Sequence, residues 1–259
     1  MMLKTFPKTE ITAGIVTYNN RETIRKAVET CLKEAAGLSF RLIIFDNAST
    51  DGTPDLIEEA FPEVTVIRSE KNLGFGRGHN AIISRVRSRY HFVVNPDIEA
   101  ADNVFRRLAD LLEANPKAGL VTPRILNPDG TEQAIPKFGP SIRFSIIEKF
   151  PGFHWLRTKY TRSNETFTKP TEIQFCTGCF FAGRTKDLYD WKGFSHKYFM
   201  YCEDSDLSKR VLTSGRTILF DPNVHVFHKW NRDNTRNMKG VMQFMKSLLI
   251  YFKTWGVQF

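Results

Sequence analysis

Short apolar runs alternate with amphipathic segments through the first half of the chain. Runs of strand length occupy residues 11–17, 40–45, 64–68 and 91–94. Helical spacing follows them at residues 21–35, 54–61, 81–89 and 103–115. Strands that alternate with helices in this way predict an α/β fold, with a Rossmann-like, mostly parallel central sheet and helices on both faces.

The second half of the chain is less regular. Residues 127–170 are rich in Pro, Gly, Lys and aromatic residues, which is typical of a functional loop. Further elements are predicted as a strand at 172–182, a helix at 204–214 and a strand at 217–220. We divide the chain into a domain of residues 1–236, with halves 1–126 and 127–236, and a final helical segment, 237–259.

Composition indicates an ordinary globular protein. Hydrophobic residues make up 41% of the 259 residues and aromatic residues 13%. No run approaches the ~18–20 apolar residues of a membrane span, and residues 1–11 lack the pattern of a secretory signal. Four cysteines are too few for a disulfide scaffold, so we expect reduced thiols in a cytoplasmic protein. Cys176 and Cys179 have no second pair with which to bind zinc, which favours two small buried residues.

The net positive charge lies in the second half of the chain. Residues 1–130 hold 17 Lys and Arg against 17 Asp and Glu, and residues 131–259 hold 20 against 11, so the latter carry the whole net charge of +9. This asymmetry indicates an anionic partner, such as a phosphorylated lipid, a membrane surface or a nucleic acid. The alternative is that the excess lysine only keeps the protein soluble.

Polar clusters follow three of the predicted strands, at 17–19, 46–51 and 95–97. In parallel sheets, ligands bind beyond the carboxyl ends of the strands. Asp97 has the hard oxygen that Mg²⁺ prefers alongside substrate phosphates. Asp46 suits hydrogen bonding to a nucleobase or a ribose. Each cluster is also compatible with a simple turn or helix cap.

Residues 72–80 contain three alternate glycines before a predicted helix. Their Gly-x-Gly-x-Gly spacing differs from the dinucleotide fingerprint, and no acidic residue follows about 20 positions on, which excludes a nicotinamide oxidoreductase. Arg77 nevertheless lies near a helix start, where an anionic ligand could bind.

The densest cluster of carboxylates is Glu203, Asp204 and Asp206, directly after an aromatic segment. Apolar surroundings raise a carboxyl pKa and suit it to general base catalysis, whereas the alternative is a helix start whose dipole favours acidic side chains. His225 and His228 have an odd spacing and therefore point to opposite faces of an extended segment. They are not expected to bind one metal together, although His228 could join Asp97.

Taken together and in this order, these clusters resemble glycosyltransferase family 2, the inverting enzymes with the GT-A fold. The matching segments are 15–19, 46–52, 72–75, 95–97, 178–181, 203–207 and His228. They extend over roughly residues 10–235, and the resemblance is strongest to bacterial rhamnosyltransferase-type members that build surface polysaccharide.

The resemblance implies that residues 1–126 bind the nucleotide sugar and that 127–236 bind the acceptor. Asp97, the last carboxylate of the Asp-x-Asp signature, and His228 would bind Mg²⁺ or Mn²⁺. Asp204 would be the base that deprotonates the acceptor hydroxyl, with Glu203 as the substitute. The remaining residues expected at the donor are Thr17, Tyr18, Asn19, Asp46, Asn47, Asn72, Arg77, Asn95 and Asp97.

The resemblance implies particular contacts for Asn95, Tyr18 and Asp46. Asn95 stands where the signature has its first Asp, so it is expected to contact ribose or a water ligand instead of the metal. Tyr18 would lie near the nucleobase and Asp46 would bind the uracil or thymine ring.

The implied reaction moves a sugar, best assigned as L-rhamnose from dTDP-rhamnose, to a saccharide or lipid-linked saccharide acceptor in O-antigen or capsule synthesis. The implied site of action is the cytoplasm or the cytoplasmic face of the inner membrane. The alternatives are a catalytically inactive nucleotide-sugar-binding protein and a nucleic-acid-binding protein. The acidic clusters would repel a nucleic acid backbone, so no nucleic acid partner is expected.

The tail has an apolar stripe with helical spacing over residues 238–252, and lysines 239, 246 and 253 recur beside it. A basic amphipathic helix is typical of contact with an anionic membrane surface. It is equally compatible with a helix that packs on the protein core or on a second subunit.

Overall fold

The computed structural model describes residue 6 and residues 8–133, 137–141, 152, 155–162, 164–229 and 238–257. The boundary at 236/237 and most of the central part of the loop 127–170 lie outside these ranges. Within them no helix is long and apolar enough to cross a membrane.

The elements of the first half follow the alternation of strands and helices. In chain order they are β1 (Thr9–Thr17), α1 (Arg21–Glu34), β2 (Phe40–Asp46), α2 (Thr53–Ala60), β3 (Thr65–Arg68), α3 (Phe75–Ile83), β4 (Ser88–Val94), β5 (Ile98–Ala100), α4 (Val104–Ala114) and β6 (Ala118–Leu126). The second half contributes α5 (Trp155–Thr161), β7 (Thr171–Ile173), β8 (Phe180–Arg184), α6 (Thr185–Asp190), α7 (Glu203–Thr213), β9 (Thr217–His228) and α8 (Met238–Trp255).

The strands form one central sheet in the order β3-β2-β1-β4-β8-β6-β9-β5, with β7 paired to β9. Strands β3, β2, β1 and β4 are parallel, and the pairings beyond β4 are mixed. The predicted α/β class with a large central sheet is therefore confirmed. Apolar side chains cover the sheet on both faces, in one large cluster around β1, β4, α1 and α4 and a second one around β8, α6 and α7.

The predicted helix at 81–89 is wrong in position, because α3 ends at Ile83 and β4 begins at Ser88. Glycines 76 and 78, which have low helix propensity, lie inside this helix. A Cβ on Gly78 would lie 2.7 Å from a methyl group of Val16 on β1, so α3 packs on the sheet at a distance that only glycine permits. Tertiary packing here outweighs local propensity.

The predicted strand at 172–182 is divided into β7 and β8. The intervening residues leave the sheet and turn towards α7. There the backbone N–H of Cys176 donates to Ser208 Oγ (3.0 Å) and that of Gly178 to Asp204 Oδ2 (3.0 Å). Conversely, the strand predicted at 217–220 continues to His228, with a register shift at Pro123/Arg124 on β6.

The tail forms the predicted helix, α8, and packs on the protein. Ser247, Leu248 and Tyr251 are buried on its inner face, and the two apolar members pack with Tyr198 and Cys202. Its outer face remains exposed, so the two alternatives drawn from the sequence are not exclusive.

Candidate active site

Three polar segments meet at the carboxyl edge of the parallel strands. The register pairs Thr17 at the end of β1 with Asp46 at the end of β2. On the other side of β1, Ile15 pairs with Val94, so Asn95 and Asp97 follow at the same edge. Neighbouring strands lie about 4.8 Å apart, so the ends of β2 and β4 are roughly 10 Å from each other across β1.

Asp46 has one free carboxylate oxygen. The side chain is buried, and Oδ2 accepts a hydrogen bond from the backbone N–H of Ser49 (3.0 Å). Its Oδ1 is buried and has no hydrogen-bond partner among the residues that the structure describes. A buried carboxylate oxygen without a partner is costly, so this atom is suited to a ligand that brings a donor.

The other residues beside Asp46 mainly hold the backbone. Asn47 is held by bonds at both ends of its amide, because Nδ2 donates to Gly74 O (3.3 Å) and Oδ1 accepts from Leu73 N (3.0 Å). Asn19 has a left-handed backbone (φ 54°), and its side-chain oxygen accepts from Thr50 N (2.8 Å). Thr17 Oγ1 donates to the side-chain oxygen of Asn20 (3.1 Å).

Tyr18 differs from these neighbours because 48% of its surface is exposed. Its ring is thus available to stack on a planar ligand.

Arg77 joins the glycine-rich segment to the loop before α7, and Asn72 bonds within that segment. Asn72 Oδ1 accepts from Gly74 N (2.9 Å), and a Cβ on Gly74 would lie 2.2 Å from the carbonyl oxygen of Phe199. The exposed Arg77 donates to the carbonyl oxygen of His196 (2.7 Å). Both predicted binding residues therefore have protein partners, and their part in donor binding stays a prediction.

Asp97 and His228 lie side by side. Strand β5 pairs antiparallel with the end of β9, with Ile98 opposite His228, and this register brings Asp97 Oδ1 within 3.3 Å of His228 Nε2. Both atoms are buried, and neither has a hydrogen-bond partner within the described part of the chain. The two donors of an octahedral Mg²⁺ site, each about 2.1 Å from the ion, would be separated by about 3 Å.

Gln133 determines which ring nitrogen of His228 carries the proton in the neutral form. Its amide nitrogen donates to Asn127 Oδ1 and to the carbonyl oxygen of His228, both at 2.9 Å, so its Oε1 must accept from His228 Nδ1 (3.1 Å). The proton on Nδ1 leaves a lone pair on Nε2 of the neutral ring, directed at the carboxylate of Asp97. In this tautomer two lone pairs face each other across 3.3 Å, and the residues fit a divalent metal.

The described residues contain no group of three or more His, Cys, Asp or Glu side chains able to hold a metal. Asp97 and His228 would thus supply two ligands, and substrate oxygens or water would complete the coordination. Asn95, two positions before Asp97, is half-buried, and its backbone N–H donates to the carbonyl oxygen of Cys179 (2.9 Å).

His225 lies on the other face of β9, as its odd spacing predicts. Its Nδ1 is 2.5 Å from Asp102 Oδ2, away from Asp97. The cysteines are buried free thiols, and burial raises the pKa of Cys179 to about 12. Such a thiol is a structural residue and not a nucleophile.

Glu203 and Asp204 begin the first turn of α7, and the backbone just before them has an unusual conformation. The two preceding residues, Tyr201 (φ 70°) and Cys202 (φ 63°), are both left-handed although neither is glycine. Such residues cost roughly 1–3 kcal/mol each and are typical of functional sites. Asp204 accepts from Gly178 N (3.0 Å) and Ser205 N (2.7 Å), which fixes its orientation.

Burial raises the pKa of both carboxyl groups. Desolvation, together with the charge of Asp204, raises the pKa of Glu203 to about 8. For Asp204 the pKa is also raised by desolvation, while the cation of Lys137 and the hydrogen bonds from Gly178 and Ser205 act in the opposite direction. Burial thus favours the protonated form of Glu203 near neutral pH, whereas the cation of Lys137 and the two N–H donors favour a carboxylate at Asp204 that can accept a proton.

Two residues of the site were not predicted from the sequence. Gln133 supports His228, and the half-buried Lys137 lies over the ring of Phe175 with its Nζ 4.9 Å from the ring centroid. Residues 127–130, Asn-Pro-Asp-Gly, are a turn signal that returns the chain towards β6, and a bridge between Leu126 and Glu132 follows. That turn signal was sufficient to predict that Gln133 returns towards β6. No turn signal or motif in the sequence identifies Lys137.

Comparison with protein families shows a match to the model described as Glycosyl transferase family 2 over residues 12–191. An N-acetylglucosaminyl-diphospho-decaprenol L-rhamnosyltransferase of Mycobacterium tuberculosis (strain ATCC 25618 / H37Rv) is 27% identical over 201 residues, which are 72% of this chain and 66% of that protein. Rhamnosyltransferase WbbL of Escherichia coli (strain K12) is 24% identical over 230 residues, 85% of this chain and 83% of that protein. The chain thus spans about two thirds of the mycobacterial relative.

Solved structures share the fold at low identity. GalNAc-T7 with UDP, GalNAc and Mn²⁺ superposes with a TM-score of 0.67 and 15% identity over 95% of this chain and 48% of that one. The mannosyltransferase PcManGT from Pyrobaculum calidifontis, in complex with GDP-Man and Mn²⁺, gives a TM-score of 0.59 and 16% identity over 89% of this chain and 60% of that one. These likenesses show the GT-A fold.

The raised pKa of Glu203 predicts that the free energy of unfolding depends on pH. Between the unfolded pKa near 4.5 and the folded pKa of about 8, the folded state binds more protons than the unfolded state, so the contribution of Glu203 to stability falls as pH rises. Glu203→Gln removes this dependence. We expect urea melts to show the variant gaining stability relative to the parent between pH 5 and pH 8, and a difference that is constant or reversed would contradict the raised pKa. Glu172→Gln, at an exposed carboxylate on β7, is the control.

Proposed function

Because the chain belongs to glycosyl transferase family 2, we propose that it is an inverting, metal-dependent glycosyltransferase that moves a sugar from a nucleotide diphosphate to an acceptor hydroxyl. The observation that carries the proposal is the pair Asp97 Oδ1 and His228 Nε2. These buried atoms lie 3.3 Å apart with no hydrogen-bond partner among the described residues. They lie at the strand edge where nucleotides bind in α/β sheets.

Asp97 and His228 would hold Mg²⁺ or Mn²⁺ against the diphosphate of the donor. As a Lewis acid, the bound cation supplies the neutralisation of the charge that develops on the leaving nucleoside diphosphate. Gln133 keeps the Nε2 lone pair of His228 directed at this position. Hydrogen-bonded outer residues of this kind orient a metal-binding histidine and raise its basicity.

The nucleoside would occupy the edge between β1 and β2. The unpartnered Oδ1 of Asp46 suits the imide N–H of a uracil or thymine ring, and the exposed ring of Tyr18 is available for stacking on it. Thr17, Asn19, Asn47, Asn72 and Arg77 would act mainly by holding the surrounding loops, since their polar groups have protein partners. Asn95 would contact ribose or a water ligand.

Asp204 would act as the general base. The acceptor oxygen attacks the anomeric carbon from the face opposite the leaving group, and its proton passes to a carboxylate oxygen of Asp204. The bond from the anomeric carbon to the diphosphate oxygen breaks, and its electron pair leaves with the diphosphate. One displacement inverts the configuration. Glu203 would retain its own proton, and the cation of Lys137 favours the ionised form of Asp204.

The donor is best assigned as dTDP-L-rhamnose. Both relatives named above are rhamnosyltransferases, and the name of the mycobacterial one specifies an acceptor sugar on diphospho-decaprenol. By analogy, we assign a saccharide or lipid-linked saccharide acceptor and a role in bacterial surface polysaccharide synthesis. A protein that uses a lipid-linked acceptor from the cytoplasm would work at the inner face of the membrane.

The outer face of α8 is suited to that surface. Met238, Met242 and Leu249 are each at least 65% exposed, Val241 and Met245 lie on the same side, and lysines 239, 246 and 253 border them. Apolar side chains flanked by lysine match the interface of an anionic bilayer. The inner face of α8 is occupied by the core, which leaves only the outer face for a membrane.

Removing the metal ligand should abolish metal-dependent donor binding. For Asp97→Asn, which keeps the size of the side chain, we expect the Mn²⁺-dependent part of the donor affinity measured by calorimetry to vanish. Binding in EDTA should be unchanged. Asp102→Asn is the control, because Asp102 pairs with His225 on the opposite face of β9. Undiminished Mn²⁺-dependent binding by Asp97→Asn would exclude this metal site.

Removing the base should separate binding from turnover. Asp204→Asn is expected to keep donor affinity and to lose about a hundredfold or more in kcat, the scale of general base catalysis. Initial rates of sugar transfer from dTDP-rhamnose measure it, with UDP and GDP sugars in parallel. Activity above about a tenth of the parent's would exclude Asp204 and favour Glu203. No transfer by the parent protein with any donor and lipid-linked acceptor, despite metal-dependent donor binding, would favour an inactive nucleotide-sugar-binding protein.

Changing the outer face of α8 should release the protein from membranes without unfolding it. The double variant Met242→Ser/Leu249→Ser leaves the buried inner face intact, and we expect it to lose co-sedimentation with vesicles that contain anionic lipid. Tyr189→Ser is the control, since Tyr189 is 64% exposed on α6, near the opposite end of β4. Equal sedimentation of the double variant and the control would contradict contact through this face.

A further inference from the structure

Helix α8 contacts the strained turn that directs the acidic pair. Tyr201 and Cys202 are both left-handed and directly precede Glu203 and Asp204. Backbone of this kind persists only where its surroundings hold it in place. The hydrogen bonds within α7 cannot do this alone, because they begin only with Asp206 N, which donates to Cys202 O (2.9 Å).

On the side before the turn, α8 holds the carbonyl group of Met200. The buried hydroxyl of Ser247 donates to this carbonyl oxygen at 2.7 Å, and the amide of Gln243 donates to it at 3.4 Å. Leu248 and Tyr251, one and four residues further along α8, pack in one buried cluster with Cys202. The backbone ahead of Asp204 is thereby fixed to the helix.

On the side after the turn, α8 holds Asp206. The indole N–H of Trp255 donates to Asp206 Oδ1 (2.9 Å), and Arg210 Nε donates to Oδ2 (2.8 Å). Arg210 is itself fixed by the carbonyl oxygens of Trp191 and Gly193, both at 2.7 Å. Asp206 is 2% exposed, so these bonds are formed away from water, where their directional effect is greatest.

From these contacts we propose that α8 is a positioning element of the active site, in which Ser247 and Trp255 hold residues 200–206 so that Asp204 faces the acceptor. The proposal rests on the proposed function only for the role of Asp204 as base. It assigns a catalytic contribution to a helix outside the family match, which ends at residue 191. Neither Ser247 nor Trp255 is placed in contact with the substrate.

A general contribution to folding would also explain these contacts, and the two explanations predict different effects. If α8 only stabilises the fold, the loss of one of its hydrogen bonds lowers protection throughout the protein. If it positions the turn, the loss acts locally on the turn and on kcat, while donor binding at β1, β2 and β4 is retained.

The test uses Trp255→Phe, which keeps an aromatic ring and loses the N–H, and Ser247→Ala, which loses only the hydroxyl. Trp155→Phe is the matched control, because Trp155 is 61% exposed on α5. Amide hydrogen exchange of the protein without ligand is followed in a peptide covering residues 201–206 and in one covering β1. Donor affinity and kcat are measured on the same samples.

We expect exchange in residues 201–206 to rise about tenfold in both variants, as for the loss of one hydrogen bond of the turn, with β1 unchanged. kcat should fall about tenfold, with donor affinity within about twofold of the parent's. Exchange equal to that of the control, or faster exchange in β1 as well, would overturn the proposal. If the parent protein transfers no sugar, the proposed function fails, while the exchange measurement still decides whether α8 holds the turn.

Discussion

Buried carboxylate oxygens without protein partners are the constraint around which this edge of the molecule is organised. Asp46 Oδ1, Asp97 Oδ1 and Glu203 Oε2 are all buried, and none has a hydrogen-bond partner among the described residues. Each costs desolvation that a protein selected for stability alone would avoid. In the proposed function each would be compensated by a different species: a base N–H at Asp46, a metal cation at Asp97 and a proton at Glu203. Each buried oxygen that lacks a partner in the free protein therefore corresponds to one group that would bind there.

The sheet topology determines how these atoms meet. β1 lies between β2 and β4, so the ends of its neighbours are separated by about two strand spacings. The short β5 pairs with the far end of β9 and brings His228, which is 131 positions from Asp97 in the numbering, to the same place. Because the chain returns along the sheet after a long excursion, the proposed metal site would take its two ligands from parts of the chain that are distant in sequence.

Local sequence patterns were sufficient for β1 to β4 and for most of the helices, and they identified Asp46, Asp97, Asp204 and His228 as candidates. They did not predict β5 or β6. They failed at α3, where the glycines are explained by close contacts, of Gly78 with Val16 on β1 and of Gly76 with Phe194. They also failed at residues 174–179, whose apolar composition predicts a strand although their backbone donors are used by α7. Gln133 and Lys137 depend on the path of a long loop, and no periodicity reports that path. What was missed in each case is a contact between segments distant in the chain.

Helix α8 shows why amphipathicity alone left its partner undecided. Its residues form two apolar faces: Leu248 and Tyr251 are buried against the turn before α7, whereas Met242 and Leu249 are exposed on the opposite side. Helical spacing over residues 238–252 does not separate these two faces, because spacing identifies the apolar positions and not the contacts of each side chain. The inner face contacts the backbone that directs Asp204, and the outer face carries the features of a membrane-binding surface. With both proposed contacts made, α8 would hold Asp204, the proposed general base, at a fixed height above a bilayer that carries a lipid-linked acceptor.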